Sequence, residues 1–494
     1  MIQIRKIVIV FITVIEMALF SGIYMGFNSL IPVLKNDGVF SQFCENPQNN
    51  ATVSCAAQET LFGRAFASWV IVHSVMSFVL GILLDKFGLQ VVKVICSICI
   101  FGGTLCLVFT PKLNWLFFIA GSLLTISAQG LNMTNISISI LFSGKRNMFV
   151  SVVTSLNDIS AIVMSVLKYI TDLGVPFWLA VTIYGSVGSS LLLVSLFLFK
   201  SRPENMLPKK NLKEDSRLNE EALEQIEMDN IEIKSGSDNE ITKQENVNEC
   251  AVSNESHLSI SNVERTKEIY YKTIEERFPT LKKCMLSPEY LIQLFYFSLL
   301  RFRFLFYLAQ LSSQLKYLFP TQPEVVDHLL SFSNLFFIAS LFISPLSGIL
   351  LDKYQRYTFQ YLSKDQSISA RTIYKTINAC FFPHISICCL AILTASSLFF
   401  ISNQYSFYMV FVCITMTRSL LYSLTAAYFL SAFPKKYFGT LNGSVYFISG
   451  FLNLLQQFII QYASPNSYPN LVNYILLGSC VAALVYPLYL KFKK

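Results

Sequence analysis

The sequence predicts an all-α membrane protein, with twelve transmembrane helices in two six-helix halves. Three observations carry this. Of 494 residues, 53% are hydrophobic and only 14% charged, where a soluble domain has roughly 25% charged; mean hydropathy is +0.51. Apolar runs of the ~20 residues needed to cross a bilayer recur along the chain. A short stretch also occurs twice: Gly-Ile-Leu-Leu-Asp-Lys-Phe at 81–87 and Gly-Ile-Leu-Leu-Asp-Lys-Tyr at 348–354. Each copy closes the second apolar segment of its half, and such a repeat is the pattern of a transporter built by duplication.

The first half is expected at 1–199. Its spans cover about Ile7 to Ser29, a segment ending at the first motif, Val91 to Thr110, Leu116 to Phe142, Met148 to Ile170 and Phe177 to Phe199. Residues 200–288 are rich in Glu, Asn, Lys, Asp and Ser. Such a stretch buries too little apolar surface to fold alone, so a largely disordered cytoplasmic linker is expected. The second half, 289–494, carries spans at about Tyr290 to Leu311, His328 to Leu351, Ile377 to Phe400, Tyr405 to Ala432, Phe438 to Tyr462 and Val472 to Leu490.

Charge orients the chain. Arg5-Lys6, Lys86, Lys145-Arg146, the linker, the loop from Lys353 to Lys375, Lys435-Lys436 and the tail fall on one side. Basic loops face the cytoplasm, so both termini are expected there. The net charge of +8 is accounted for by those loops and does not point to nucleic acid. Cys44 and Cys55 share the first polar outer loop with Asn50-Ala51-Thr52, a glycosylation sequon. These suit the oxidising face and a plasma-membrane destination, so a Cys44–Cys55 disulfide and glycosylation at Asn50 are expected; the alternative is two free thiols and an unused sequon.

Ionisable groups inside spans cost about 2.5–3.5 kcal/mol on insertion scales and mark function. Glu16, Asp158, Arg301, Arg303 and Arg418 are such groups. Acids from one half and arginines from the other could satisfy one another across a central cavity and orient a polar solute. Glu16 could equally anchor packing within its own half. Arg301 and Arg303, two residues apart, face different sides of a helix, and Arg303 is expected to face the cavity. Gln129, Asn132 and Asn135, at near-helical spacing, line that cavity or glue helices together. Asn157 and Tyr422 are similar cases, and His73 and His384 read as buried core histidines. The sequence carries no metal-ligand cluster, nucleophile motif or phosphate loop. No cofactor, metal site or enzymatic activity is expected, and no obligatory protein partner is evident. The expected partners are a small-molecule substrate and the lipid bilayer.

Six spans, a hydrophilic linker and six more resemble the major facilitator superfamily. The repeat resembles its signature, Gly-x-x-x-Asp-Arg/Lys-x-Gly. Gly81, Asp85, Lys86 and Gly88 fit the first copy; Gly348, Asp352 and Lys353 fit the second, where Gln355 replaces the last glycine. The resemblance implies that each Asp faces a helix start in the other half, where partial positive charge stabilises a carboxylate. Asp85 should meet Gly439 to Asn442, and Asp352 should meet Lys145 to Met148, closing a cytoplasmic gate.

A narrower resemblance rests on Leu34 to Phe40, Cys44 and Cys55 around the sequon, Arg418-Ser419-Leu420-Leu421-Tyr422, the run from Phe433 to Gly443, and Leu454 to Gln457. Together these are similar to solute carrier family 43, whose members carry nucleobases or large neutral amino acids. The resemblance implies facilitated diffusion by alternating access, with purine nucleobases the leading substrate and large neutral amino acids the alternative. Proton coupling through Glu16 or Asp158 stays open. A transporter-shaped receptor is the rival from another class; it would tolerate loss of the cavity arginines.

Overall fold

A computed structural model describes residues 2–44, 56–142, 144–198, 262–365, 367–401, 403–462 and 469–492. Asn50, Cys55 and the linker up to residue 261 lie outside these residues. Cys44 is disulfide-bonded.

Every regular element among the described residues is helical. This is the form in which a chain satisfies its own backbone in lipid. Ten stretches are long and apolar enough to cross a membrane: Ile7–Phe27, Thr60–Phe87, Leu89–Phe109, Leu116–Leu141, Arg146–Asp172, Phe177–Leu198, Pro288–Leu308, Ala370–Leu398, Gln404–Ala432 and Val472–Phe492. Twelve were expected. The other two segments are helical, as Pro323–Phe336 with Ser340–Leu362 and as Phe438–Tyr462. They are not among the ten. Ser340, Ser344, Ser347 and Asp352 dilute the first, and Asn442, Ser444, Ser449 and Asn453 the second.

Packing interleaves the two sequence halves. Ala56–Phe87 lies along Phe438–Tyr462, and Ser340–Leu362 lies along Arg146–Ile159. Each helix that carries a motif is therefore paired with a helix of the other half.

Several helical runs break, and three of the breaks adjoin Asp158 or its neighbours. Ile2–Phe20 gives way to a tighter 3-10 turn at Ile23–Ser29, Arg146–Ile159 stops before Ile162–Asp172, and a 3-10 turn at Phe337–Ala339 precedes Ser340–Leu362. Gly22 lies against the Asn157 carbonyl, and its N–H donates to Ser160 Oγ. Two of the breaks thus meet, and side chains replace the lost helical bonds.

The end of the expected linker is folded. Residues 262–277 form a helix, followed by Leu281–Met285. Tyr270, Ile274 and Phe278 are buried; their four-residue spacing puts them on one helical face, and Phe278 packs on Tyr374 and Phe433. Ser287 then caps Pro288–Leu318, its hydroxyl accepting from the Tyr290 amide at 3.3 Å.

Candidate functional site: paired gates and a buried central cluster

Both motif carboxylates sit on helix starts. Asp85 accepts from the amides of Gly439 at 2.8 Å and Thr440 at 2.7 Å. Asp352 accepts from the amides of Asn147 at 3.1 Å and Met148 at 2.8 Å. A helix leaves its first N–H groups without internal partners, and a carboxylate satisfies two of them while meeting the positive end of the dipole. The glycines one turn earlier make the approach possible: a Cβ at Gly81 would collide with the Gly439 carbonyl, and one at Gly348 with the backbone of Asn147 and Met148. Lys86 and Lys353 are exposed and take no part in these contacts.

The imperfect second copy has a structural consequence. Gly88 has φ +85°, a conformation that glycine alone adopts freely, and it turns the chain from one helix into the next. Gln355 instead lets its helix run on to Leu362, and its Oε1 accepts from Asn147 Nδ2 at 2.9 Å. Beside it, Arg146 Nη1 reaches across to the Leu430 carbonyl at 3.2 Å. Tyr270 donates to the Ser431 carbonyl at 2.9 Å and Tyr374 to that of Ala432 at 3.2 Å. The last turn of Gln404–Ala432 is thus capped by donors from three separate elements.

Deeper in the bundle, Asp158 and Arg418 form an ion pair of 2.6 Å with both side chains buried. Asn157 and Ser340 flank the carboxylate; both adjoin helix breaks, and Gly22, at another, lies against the Asn157 carbonyl. Arg418 also lies over Phe304, 5.6 Å from the ring centre, and reaches Met25 Sδ at 3.0 Å. Tyr422 and Tyr446 stack with planes 13° apart, and Phe297 meets both edge-on. Tyr24 lies within electrostatic range of Asp158, Arg418, Tyr422 and Arg301.

Arg301, not Arg303, belongs to this cluster. It lies 5.2 Å from the Tyr446 ring centre. Its Nη1 donates to the Tyr446 carbonyl at 3.0 Å and Ser449 Oγ at 2.6 Å. Arg303 turns into its own half, donating to Ser396 at 2.9 Å and lying over Phe399 at 5.0 Å. The helix Pro288–Leu318 is apolar around much of its circumference, so periodicity did not fix which arginine faces inward. His73 joins the cluster, 5.4 Å from Tyr24 and 5.9 Å from Tyr446 between ring centres, with Gln129 beside it.

Glu16 and Asn135 are held elsewhere. Lys93 donates to Glu16 at 2.6 and 2.8 Å and to Ser195 at 3.3 Å. Asn135 donates to Glu16 at 3.1 Å. Glu16 and Lys93 together thus tie four helices of the first half, as the packing alternative for Glu16 expects. Sequence reading passed over Lys93. The available signal was a lone lysine inside an apolar run, opposite a lone acid.

Motif carboxylates that each cap a helix of the other sequence half, with a buried polar cluster at broken helices deeper in the bundle, suit a membrane transporter. The Major Facilitator Superfamily description matches residues 14–456. The chain belongs to that superfamily. It is 24% identical over 524 aligned residues to the large neutral amino acids transporter small subunit 3 of Homo sapiens, covering 97% of this chain and 91% of that one. It is 23% identical over 459 residues to the equilibrative nucleobase transporter 1 of Bos taurus, covering 88% and 85%. These relatives bear out the resemblance to solute carrier family 43. Among solved structures it resembles the proton:xylose symporter XylE at 13% identity and a TM-score of 0.54, covering 97% of this chain and 94% of that one. A bacterial homologue of the iron transporter ferroportin, in an outward-facing state, matches at 13% and 0.52, covering 98% of each chain. These likenesses are of fold.

Proposed function

We propose that the protein is a facilitative transporter of purine nucleobases, working by alternating access of two six-helix halves, 1–199 and 289–494, joined by a linker. Asp158, Asn157, Arg418, Tyr422 and Gln129 contribute to the solute site. The observation that carries this reading is the buried Asp158–Arg418 pair beside the stacked rings of Tyr422 and Tyr446. A planar heterocycle offers both a face to aromatic rings and an edge of donors and acceptors to charged groups. Asp85 and Asp352 latch the gate on the motif side, which the basic loops assign to the cytoplasm. The sequon at Asn50 and a Cys44–Cys55 bridge then lie outside, which suits a plasma-membrane protein with cytoplasmic termini. Glu16, Asn135 and Arg303 support the helices that frame the site.

Large neutral amino acids are the second reading. Two buried arginines near one acid would suit a zwitterion, and relatives covering almost the whole chain are named as amino acid transporters. Side-by-side uptake of labelled adenine and labelled leucine, each with excess unlabelled competitor, separates the readings. Adenine uptake alone supports the first and leucine uptake alone the second. Neither, with surface expression established, would overturn both.

A further inference from the structure

We propose that Arg301 and Gln129 form a donor pole of the central site, distinct from the Asp158–Arg418 pair, and that its arginine is matched to a solute edge with two adjacent acceptors. The proposal rests on the transport reading and narrows its substrate.

Arg301 is only 4% exposed and Gln129 2%. Both hydrogen bonds of Arg301 leave through Nη1, to the Tyr446 carbonyl and Ser449 Oγ. These anchor one end of the planar guanidinium, and the Tyr446 ring packs against it. Its Nε has no hydrogen-bond partner among the described residues, nor has Gln129 Nε2. A buried donor left without an acceptor costs the desolvation of that group. Here two such donors come one from each half, and both residues lie close enough to His73 to act on it. A solute that supplied the missing acceptors would relieve both and join the halves. Tyr24 and Tyr446 lie within electrostatic range of both Arg301 and Asp158, and the Tyr446 ring is shared by Arg301 and Tyr422.

The Nε–Nη2 edge of an arginine is a fixed two-donor fork, and in Arg301 its Nε is unpaired among the described residues. Among purines, adjacent acceptors are the O6 and N7 of a 6-oxopurine; adenine puts an amino donor beside N7. Among amino acids the same pair is the carboxylate. The pole therefore favours hypoxanthine over adenine, and on the second reading leucine over leucinol.

The test has two arms. The first measures competition by hypoxanthine, adenine, leucine and leucinol against the solute that the wild type carries, and repeats it in Arg301→Gln, Arg301→Lys and Arg303→Gln. A bidentate arginine pair discriminates by about ten-fold or more. The expected result is a preference of that size for the acceptor-bearing solute. Arg301→Gln abolishes it, Arg301→Lys restores charge without restoring preference, and Arg303→Gln retains it. The second arm needs no substrate. Arg301→Cys should react with a small water-soluble thiol reagent, while Arg303→Cys stays at the background of the parent's own cysteines. An unchanged preference in Arg301→Gln, or equal labelling at the two positions, overturns the proposal. If the preference appears for leucine alone, the donor pole stands and the nucleobase reading falls. If the wild type carries none of the four, the substrate readings fail and the labelling contrast decides.

Discussion

Glu16 and Lys93 hold one another at 2.6 Å with neither side chain exposed. Removing one member of such a pair leaves a bare charge in a low-dielectric interior, a loss of about 3–5 kcal/mol. Lys93→Met should therefore lower the unfolding temperature of the detergent-solubilised protein sharply. Glu16→Gln combined with Lys93→Met removes both charges and leaves a side-chain amide able to meet Asn135, so it should recover most of that loss. A double variant no more stable than Lys93→Met would mean the pair does not act as a unit.

At the gate, Asp85→Asn keeps the shape of the side chain but removes its charge from the start of Phe438–Tyr462. The expected loss is about 1–2 kcal/mol, a change of about five- to thirty-fold in the closed-to-open ratio on the motif side. Distance measurements between spin labels, one on each half at that side, report this shift. An unchanged distance distribution would remove the latch role of Asp85.

Gly81→Leu and Gly348→Leu test closure sterically. Each added side chain meets backbone of the opposing helix, not the end of a flexible chain. Protein should reach the membrane in normal amount, while exchange uptake falls to background. A reporter at Asn442→Cys should become more reactive from the motif side. Wild-type uptake in both variants would place the barrier elsewhere.

For the central pair, Asp158→Asn should cut uptake about ten- to hundred-fold, the scale of a hydrogen bond to a charged group. Arg418→Met should do at least as much, and should also destabilise the fold because it strands Asp158. Surface biotinylation separates the two effects. Full uptake in Asp158→Asn at equal surface level would exclude this carboxylate from the solute site.

The landing points of Asp85 and Asp352 were legible because a motif and a general property of helix starts agreed on them. That an acid of one half would meet an arginine of the other was legible from charge and depth; which acid met which arginine was not, since Glu16 pairs within its own half. The choice between Arg301 and Arg303 was not: it depends on the rotation of a helix with apolar residues on most sides. The break near Ser160 carries neither proline nor glycine, so nothing in the local sequence announced it, whereas Ser21-Gly22 was a signal for the other. The fold of residues 262–277 had a signal in the spacing of Tyr270, Ile274 and Phe278. That signal was diluted by averaging over the whole polar stretch.

The last turn of Gln404–Ala432 is capped by Arg146 from the opposite half, and by Tyr270 and Tyr374 from its own side of the divide. Were the halves to part as proposed, the arginine contact would be lost while the bonds from Tyr270 and Tyr374 lie outside the parting surface, so the helix end would keep two of its three capping donors. Closing would then need one side chain to find its place again, not a turn of helix to refold.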